Sequence, residues 1–195
     1  CMGRVCYHTC ESACNRGELD ESVGINAVER FLGDHALQKG WAFPKPEKST
    51  GKRVLVVGAG PAGLSCAYQL ARLGHAVHVV DGAPQAGGTM RYGIPKYRLP
   101  REVLDAEIAR ITALGVKIEL NREVKDLAEE MKAGEYDAVF LGVGASMARR
   151  AYIPAGDATH ILDAVNVLRS MESEEKPLLG RRVVVYGGGN TAIDV

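Results

Sequence analysis

The stretch VLVVGAGPAGL, residues 54–64, decides the fold. Its apolar opening, Val54 to Val57, reads as a strand buried on both faces of a parallel sheet. The strand runs into Gly58, Gly60 and Gly63, a G-x-G-x-x-G spacing. The first glycine permits the tight turn, the second lets the backbone approach a pyrophosphate, and the third lets the helix pack closely on the strand. Pro61 and Ala62 open that helix, whose free N–H groups and positive dipole end point at the phosphate. Pro61 loses only an N–H that has no partner inside the helix. Asp81 follows Gly58 by 23 residues and ends a second strand, AVHVVD. A carboxylate there can accept from a ribose hydroxyl. A glycine turn without a ligand is the plain alternative, and the strand, helix and carboxylate together weigh against it.

The pattern continues outward. PAGLSCAYQLARLG is a helix closed by Gly74, REVLDAEIARITALG leads into the strand VKIEL, and YDAVFLGVG is a strand ending in glycines. A helix in ILDAVNVLRSM precedes RRVVVYGGGNTAIDV, which restarts the strand–glycine–helix pattern, with Gly187, Gly189 and Ala192 repeating the spacing as G-x-G-x-x-A. Alternating strands and helices predict an α/β fold with a doubly wound parallel sheet. Two such loops suggest two nucleotides, typically a flavin and a nicotinamide exchanging a hydride. An internal duplication that binds once is the alternative. Upstream, VGINAVERFLGDHAL places Ile25, Val28, Phe31 and Leu32 on one apolar helical face, with Gly40 closing it. WAFPKPEKSTG then reads as a linker.

The chain has 195 residues, with 24 basic and 24 acidic side chains cancelling to zero. Nothing in that balance points to a nucleic-acid or membrane-surface partner. No apolar run approaches the roughly 20 residues of a membrane span, and no signal-peptide core is present. The expected setting is cytoplasmic. Both ends read as interrupted, the first inside a cysteine motif and the last inside a helix barely begun.

Cys6, Cys10 and Cys14 lie at steps of four. A continuous helix would carry their sulfurs on one face. A disulfide framework fits poorly with a chain that reads as a cytosolic enzyme. Zinc and iron–sulfur clusters each need four ligands, and spacing alone leaves these two equal. Cys66 reads as core packing and His8 as loop filler, while Cys1 is ambiguous. No hydrolytic triad or acid–base pair is present.

GRVC…CE..C, INAVERF, GAGPAGLSCAYQLARLGH, GGTMRYGIPKYRLP and GGGNTAIDV occur in that order over nearly the whole chain. Together they resemble the small (beta) subunit family of glutamate synthase, whose relatives include the N-terminal half of dihydropyrimidine dehydrogenase. GGTMRYGIPKYRLP is the most diagnostic, because ordinary disulfide reductases of this fold lack it. The resemblance implies a helical [4Fe–4S] domain of the alpha-helical ferredoxin kind at 1–41 and a linker at 42–51. It further implies a Rossmann-type FAD-binding domain at 52–178 and the start of a Rossmann-type NAD(P)-binding domain at 179–195. By position, Gly58, Gly60, Pro61, Ala62 and Gly63 would cradle the FAD pyrophosphate and Asp81 the ribose. Gly87, Gly88 and Thr89 would line the flavin side, with Arg98 and the backbone of Val124 also touching FAD. Gly187, Gly189, Asn190 and Thr191 would start the site for NADPH or NADH. Asp81 departs from the family's commoner glutamate, and the second and third cysteines stand closer than in glutamate synthase proper.

The resemblance and the adjacent flavin favour clusters over zinc, since one-electron carriers suit a flavin that accepts hydride. It assigns the cysteines to two clusters, completed by an upstream cysteine set. Glu29 falls where a relative uses glutamine as a ligand, against the alternative of a solvent-facing carboxylate. The expected role is an electron-input module, with a catalytic large subunit or a ferredoxin-type acceptor as partner. A thioredoxin-reductase-like enzyme is the first rival, but no C-x-x-C occurs in the chain. A zinc-stabilised adaptor without catalysis is the second.

Overall fold

A computed structural model describes residues 1–145, 147, 160–173 and 178–195. Its centre is a parallel sheet of β1 (Arg53–Val57), β2 (Ala76–Val80), β3 (Lys117–Glu119) and β4 (Ala138–Leu141), in the order β3-β2-β1-β4. Val54 pairs with Val77 on one side and with Ala138 on the other, so β1 is central. Leu55, Val56, Val79 and Val80 are fully buried, as a strand covered on both faces requires.

The helix α4 (Pro61–Arg72) carries the chain from β1 to β2 and buries Leu64, Ala67 and Ala71. Its end is closed by Gly74, whose N–H reaches Ala71 O while His75 N–H reaches Leu70 O. This pair of bonds satisfies carbonyls that the helix would leave open. The helix α6 (Arg101–Thr112) carries the chain from β2 to β3, with Leu104 fully buried. After β3 and the short α7 (Leu127–Ala133) the chain returns to the far edge of β1. That reversal makes a crevice at the C-terminal ends of β1 and β4, the place where open α/β sheets bind ligands.

Three sequence expectations are corrected. First, the cysteines do not share one helix. α1 (Met2–Val5) stops at Cys6, whose backbone is extended, and His8 is left-handed with φ 43°. α2 (Thr9–Ser12) holds Cys10, and Cys14 caps a 3-10 turn, Asn15–Glu18. Second, residues 183–188 form no strand, and Val184 and Tyr186 stand open to solvent. A strand exists through its ladder neighbours, and the described residues offer this segment none. Third, the apolar face of α3 (Ile25–Gln38) is not buried, since Val28, Phe31 and Leu32 are more than half exposed.

Gly40 does close α3, with Trp41 N–H on Ala36 O and Gly40 N–H on Leu37 O. Residues 41–52 carry no regular element. Phe43 nevertheless anchors that stretch between the Tyr68 ring and the Arg110 guanidinium. Cys66 packs against the core, and burial pushes its thiol above the ordinary range. No described helix is long and apolar enough to cross a membrane.

The loop before α6 is held by one arginine. Arg101 donates to the carbonyls of Arg91 at 2.6 Å, Ile94 at 2.8 Å and Leu99 at 2.8 Å. It also forks onto Glu172 at 2.7 and 3.0 Å, just past α8 (Ala164–Ser170). Burial works to raise the Glu172 carboxyl, but Arg101's hydrogen bonds and charge outweigh it and hold the group below the ordinary range. A carboxyl depressed in the folded state stabilises fully above its unfolded value near 4.5 and loses that effect as pH falls through the folded value. Glu172→Gln therefore lowers stability by about 2 kcal/mol at neutral pH. The difference from wild type shrinks in denaturation curves taken as the solution is acidified below the ordinary carboxylate value.

Candidate functional site

Three backbone segments press together at the crevice. Gly58 has φ +107° and is buried, and a Cβ placed on it would lie 2.3 Å from Gly142 O at the end of β4. A Cβ on Gly63 would lie 1.8 Å from Gly58 O, so α4 begins in contact with the turn it leaves. Gly60 is extended, φ −80° and ψ −175°, and no side chain caps the helix that Pro61 and Ala62 open. Its first N–H groups are thus available to an anion.

Asp81 stands beside this turn and supports it directly. One oxygen accepts Ala59 N–H at 2.6 Å and the other accepts Ala83 N–H at 2.7 Å. A carboxylate offers about four lone-pair positions, so two remain for hydroxyl donors. Arg122 N–H and Asn121 N–H bond to Asp81 O and Ala83 O, which brings the loop bearing Val124 to the same edge.

On the other flank, Gly87 N–H donates to Ala59 O at 2.8 Å. Gly88, at φ +51°, lies so close that a Cβ on it would stand 2.6 Å from Gly60 Cα. Thr89 then begins α5 (Thr89–Tyr92). The structure gathers Gly58, Gly60, Gly63, Asp81, Gly87 and Gly88 around one turn. Gly142 belongs with them and was missed; its only sequence signal was the glycine ending of LGVG. Arg91, buried here, was missed too. Its Nε donates to Ala86 O at 2.7 Å and its outer nitrogen pairs with Asp105. That fixes the short loop between Asp81 and Gly87.

The second glycine loop repeats the backbone plan. Gly187 has φ +143°, and Gly189 is extended at φ −85° and ψ 173° before α9 (Asn190–Asp194). Thr191 is exposed within α9, and Ala192 Cβ would touch a Cβ on Gly187 at 3.3 Å. Arg98, from GGTMRYGIPKYRLP, reaches the helix after this loop, its guanidinium donating to Asp194 Oδ2 at 2.6 Å.

At the N-terminus, Cys6 Sγ accepts His8 N–H at 3.4 Å, and Cys10 is exposed. Backbone bonds from Val23, then Arg16 and Gly17, pull the Cys14 thiol below the ordinary range against the opposing effects of burial and Glu11. A sulfur so placed is suited to a metal, which binds thiolate rather than thiol. The segment is fastened to α3. Arg4 forks onto Asp34 at 2.8 Å to each oxygen, and Glu11 accepts Asn26 N–H at 2.7 Å in the first turn. Glu29 lies on that helix, exposed and unpaired among the described residues. Among those residues, no three Cys, His, Asp or Glu side chains converge on one metal position.

A parallel sheet with a phosphate-type glycine loop at its switch point, and a second loop of the same conformation, defines a dinucleotide-binding protein of the oxidoreductase class. The pyridine nucleotide-disulphide oxidoreductase family matches residues 52–195, and the chain belongs to it. It is 39% identical to an NADP(+)-dependent formate dehydrogenase subunit beta of Moorella thermoacetica, over 99% of this chain and 31% of that protein. It is 38% identical to the glutamate synthase [NADPH] small chain of Escherichia coli, over 98% of this chain and 44% of the relative. The chain thus spans less than half the length of these relatives. The resemblance read from its motifs is borne out. FprA, a Mycobacterium tuberculosis oxidoreductase, shares the fold at a TM-score of 0.53 and 22% identity, over 60% of this chain and 28% of that one.

Two glycines separate folding from binding. Gly63→Ala drives a methyl into Gly58 O and costs about 2 kcal/mol or more in urea denaturation. Gly60→Ala meets nothing closer than 3.7 Å, so it leaves the melting curve nearly unchanged while its methyl blocks dinucleotide approach, read as loss of retained cofactor.

Proposed function

We propose that this chain is the electron-input part of an NAD(P)H oxidoreductase of the glutamate synthase small-subunit kind, holding FAD and [4Fe–4S] clusters. The observation that carries the reading is the pair of glycine loops with one backbone plan, the helix after the second being tied through Asp194 to Arg98 of GGTMRYGIPKYRLP. Two loops of this sort suit two dinucleotides meeting face to face. Relatives named as NADP(+)-dependent formate dehydrogenase and glutamate synthase subunits support the same direction.

In this reading, residues 52–178 bind FAD and residues 179–195 begin the NAD(P)H domain, while 1–41 bear the clusters beyond a linker at 42–51. The N-terminus of α4, from Pro61 to Gly63, receives the pyrophosphate. Asp81 uses its open lone pairs for ribose hydroxyls, already oriented by Ala59 and Ala83. Gly87, Gly88, Thr89 and the Val124 backbone line the flavin, and Arg98 has N–H donors left for it. Gly187, Gly189, Asn190 and Thr191 receive the nicotinamide dinucleotide. When bound, FAD takes two electrons as hydride and the clusters carry them away one at a time.

Cys6, Cys10 and Cys14 are the cluster thiolates in this proposal, with Glu29 as a further ligand. What supports this is donor chemistry: the sulfurs are free thiols, and the N–H bonds to Cys6 and Cys14 are of the kind that tune cluster potential. Free thiols also suit a reducing cytoplasm. The electrons pass to a catalytic large subunit or a ferredoxin-type acceptor, with no nucleic acid or membrane involved.

The test is flavin, iron and acid-labile sulfide analysis of the intact protein purified without oxygen. The expected result is a yellow-brown protein with FAD, and iron and sulfide in equal amounts. Zinc in place of iron, or no flavin after reconstitution, overturns the proposal. For Glu29, Glu29→Ala shifts a cluster potential in redox titration; an unmoved potential removes it from the ligand set.

A further inference from the structure

Among the described residues, Arg91 and Asp194 are the charged side chains that are buried. Arg91 serves its own loop, but Asp194 serves a contact between distant parts of the chain. It lies on α9, where no backbone group or cation of its own helix is its partner among the described residues. A desolvated carboxylate without a partner is strongly disfavoured. Arg98 supplies that partner at 2.6 Å, and the Tyr97 hydroxyl donates to the other oxygen at 3.2 Å. Both belong to GGTMRYGIPKYRLP, the loop on the flavin side. At the opposite end of α9, Asn190 Nδ2 donates to the Tyr7 hydroxyl at 2.6 Å, next to Cys6. α9 is therefore fastened through Asn190 and Asp194 to other parts of the proposed electron path.

We propose that Asp194 is a positioning residue: through Arg98 and Tyr97 it fixes the second glycine loop against the flavin-side loop and so sets the span over which hydride moves. This rests on the functional reading above. The hydride takes both electrons of the nicotinamide C4–H bond, leaving the oxidised pyridinium. It forms a bond to flavin N5, and a solvent proton completes the reduced flavin. A tie that misplaces the two rings by an ångström slows such a step far more than it weakens binding.

The test uses the intact flavin-loaded protein, with whichever of NADPH and NADH reduces the wild type. In Asp194→Asn the dissociation constant of the oxidised nucleotide stays within about threefold, while flavin bleaching at saturating reduced nucleotide slows about tenfold or more. Amide exchange rises together in residues 94–99 and 190–194. Asp194→Glu, which keeps the charge, recovers part of the rate. Tyr97→Phe removes one hydroxyl and gives a smaller slowing, which keeps the test open where Asp194→Asn fails to fold. Wild-type bleaching rates in the variant that folds, or exchange rising in 190–194 alone, overturn the inference. A wild-type protein that neither nucleotide reduces overturns the functional reading and this one with it.

Discussion

Three glycines in van der Waals contact carry this architecture. Gly58, Gly63 and Gly142 bring the end of β1, the start of α4 and the end of β4 to distances that no side chain tolerates. The contact forces the helix to start directly above the strand, so its unpaired N–H groups open into the crevice. It also fixes β4 against β1, and that pairing creates the switch point of the sheet. Hydrophobic burial stabilises the strands, but backbone approach decides where an anion can sit. Asp81 and Gly87 then extend the same device, since both bond to Ala59 in the middle of the turn.

Guanidinium groups do for the irregular segment what hydrogen-bond ladders do for the sheet. Residues 86–99 have little regular structure, and their carbonyls would be left without donors. Arg91 takes the Ala86 carbonyl, and Arg101 takes those of Arg91, Ile94 and Leu99. A planar group with five N–H donors suits several carbonyls converging on one place. Glu172 balances the charge of Arg101 and connects the loop to the chain beyond β4. The segment at 86–99 thus has a defined shape of its own.

The sheet and first loop were legible in the sequence because their determinants are local. A run of Val and Leu, three glycines and an acidic residue at fixed offsets specify one turn, and the structure folds them as read. The cysteine segment was misread because a step of four implies one helical face only while the helix continues. His8 turns left-handed and Cys6 and Cys14 are extended, so the repeat is broken twice. The strand expected around Val184 failed for another reason: an apolar run has strand preference, but a ladder needs a neighbour. The face of α3 had the periodicity of burial without its partner. Arg98 with Asp194 and Arg101 with Glu172 were invisible for a simpler reason, since pairs separated by 96 and 71 positions leave no local pattern.

Asp81 spends a bond from each oxygen on the backbone of the cradle. The first glycine turn is therefore preorganised, and an arriving dinucleotide need not freeze it. Association with such a site forfeits little chain entropy. Affinity then resides mostly in slow escape of the ligand rather than in capture aided by folding. A lattice of this kind favours long residence of whatever dinucleotide it grips.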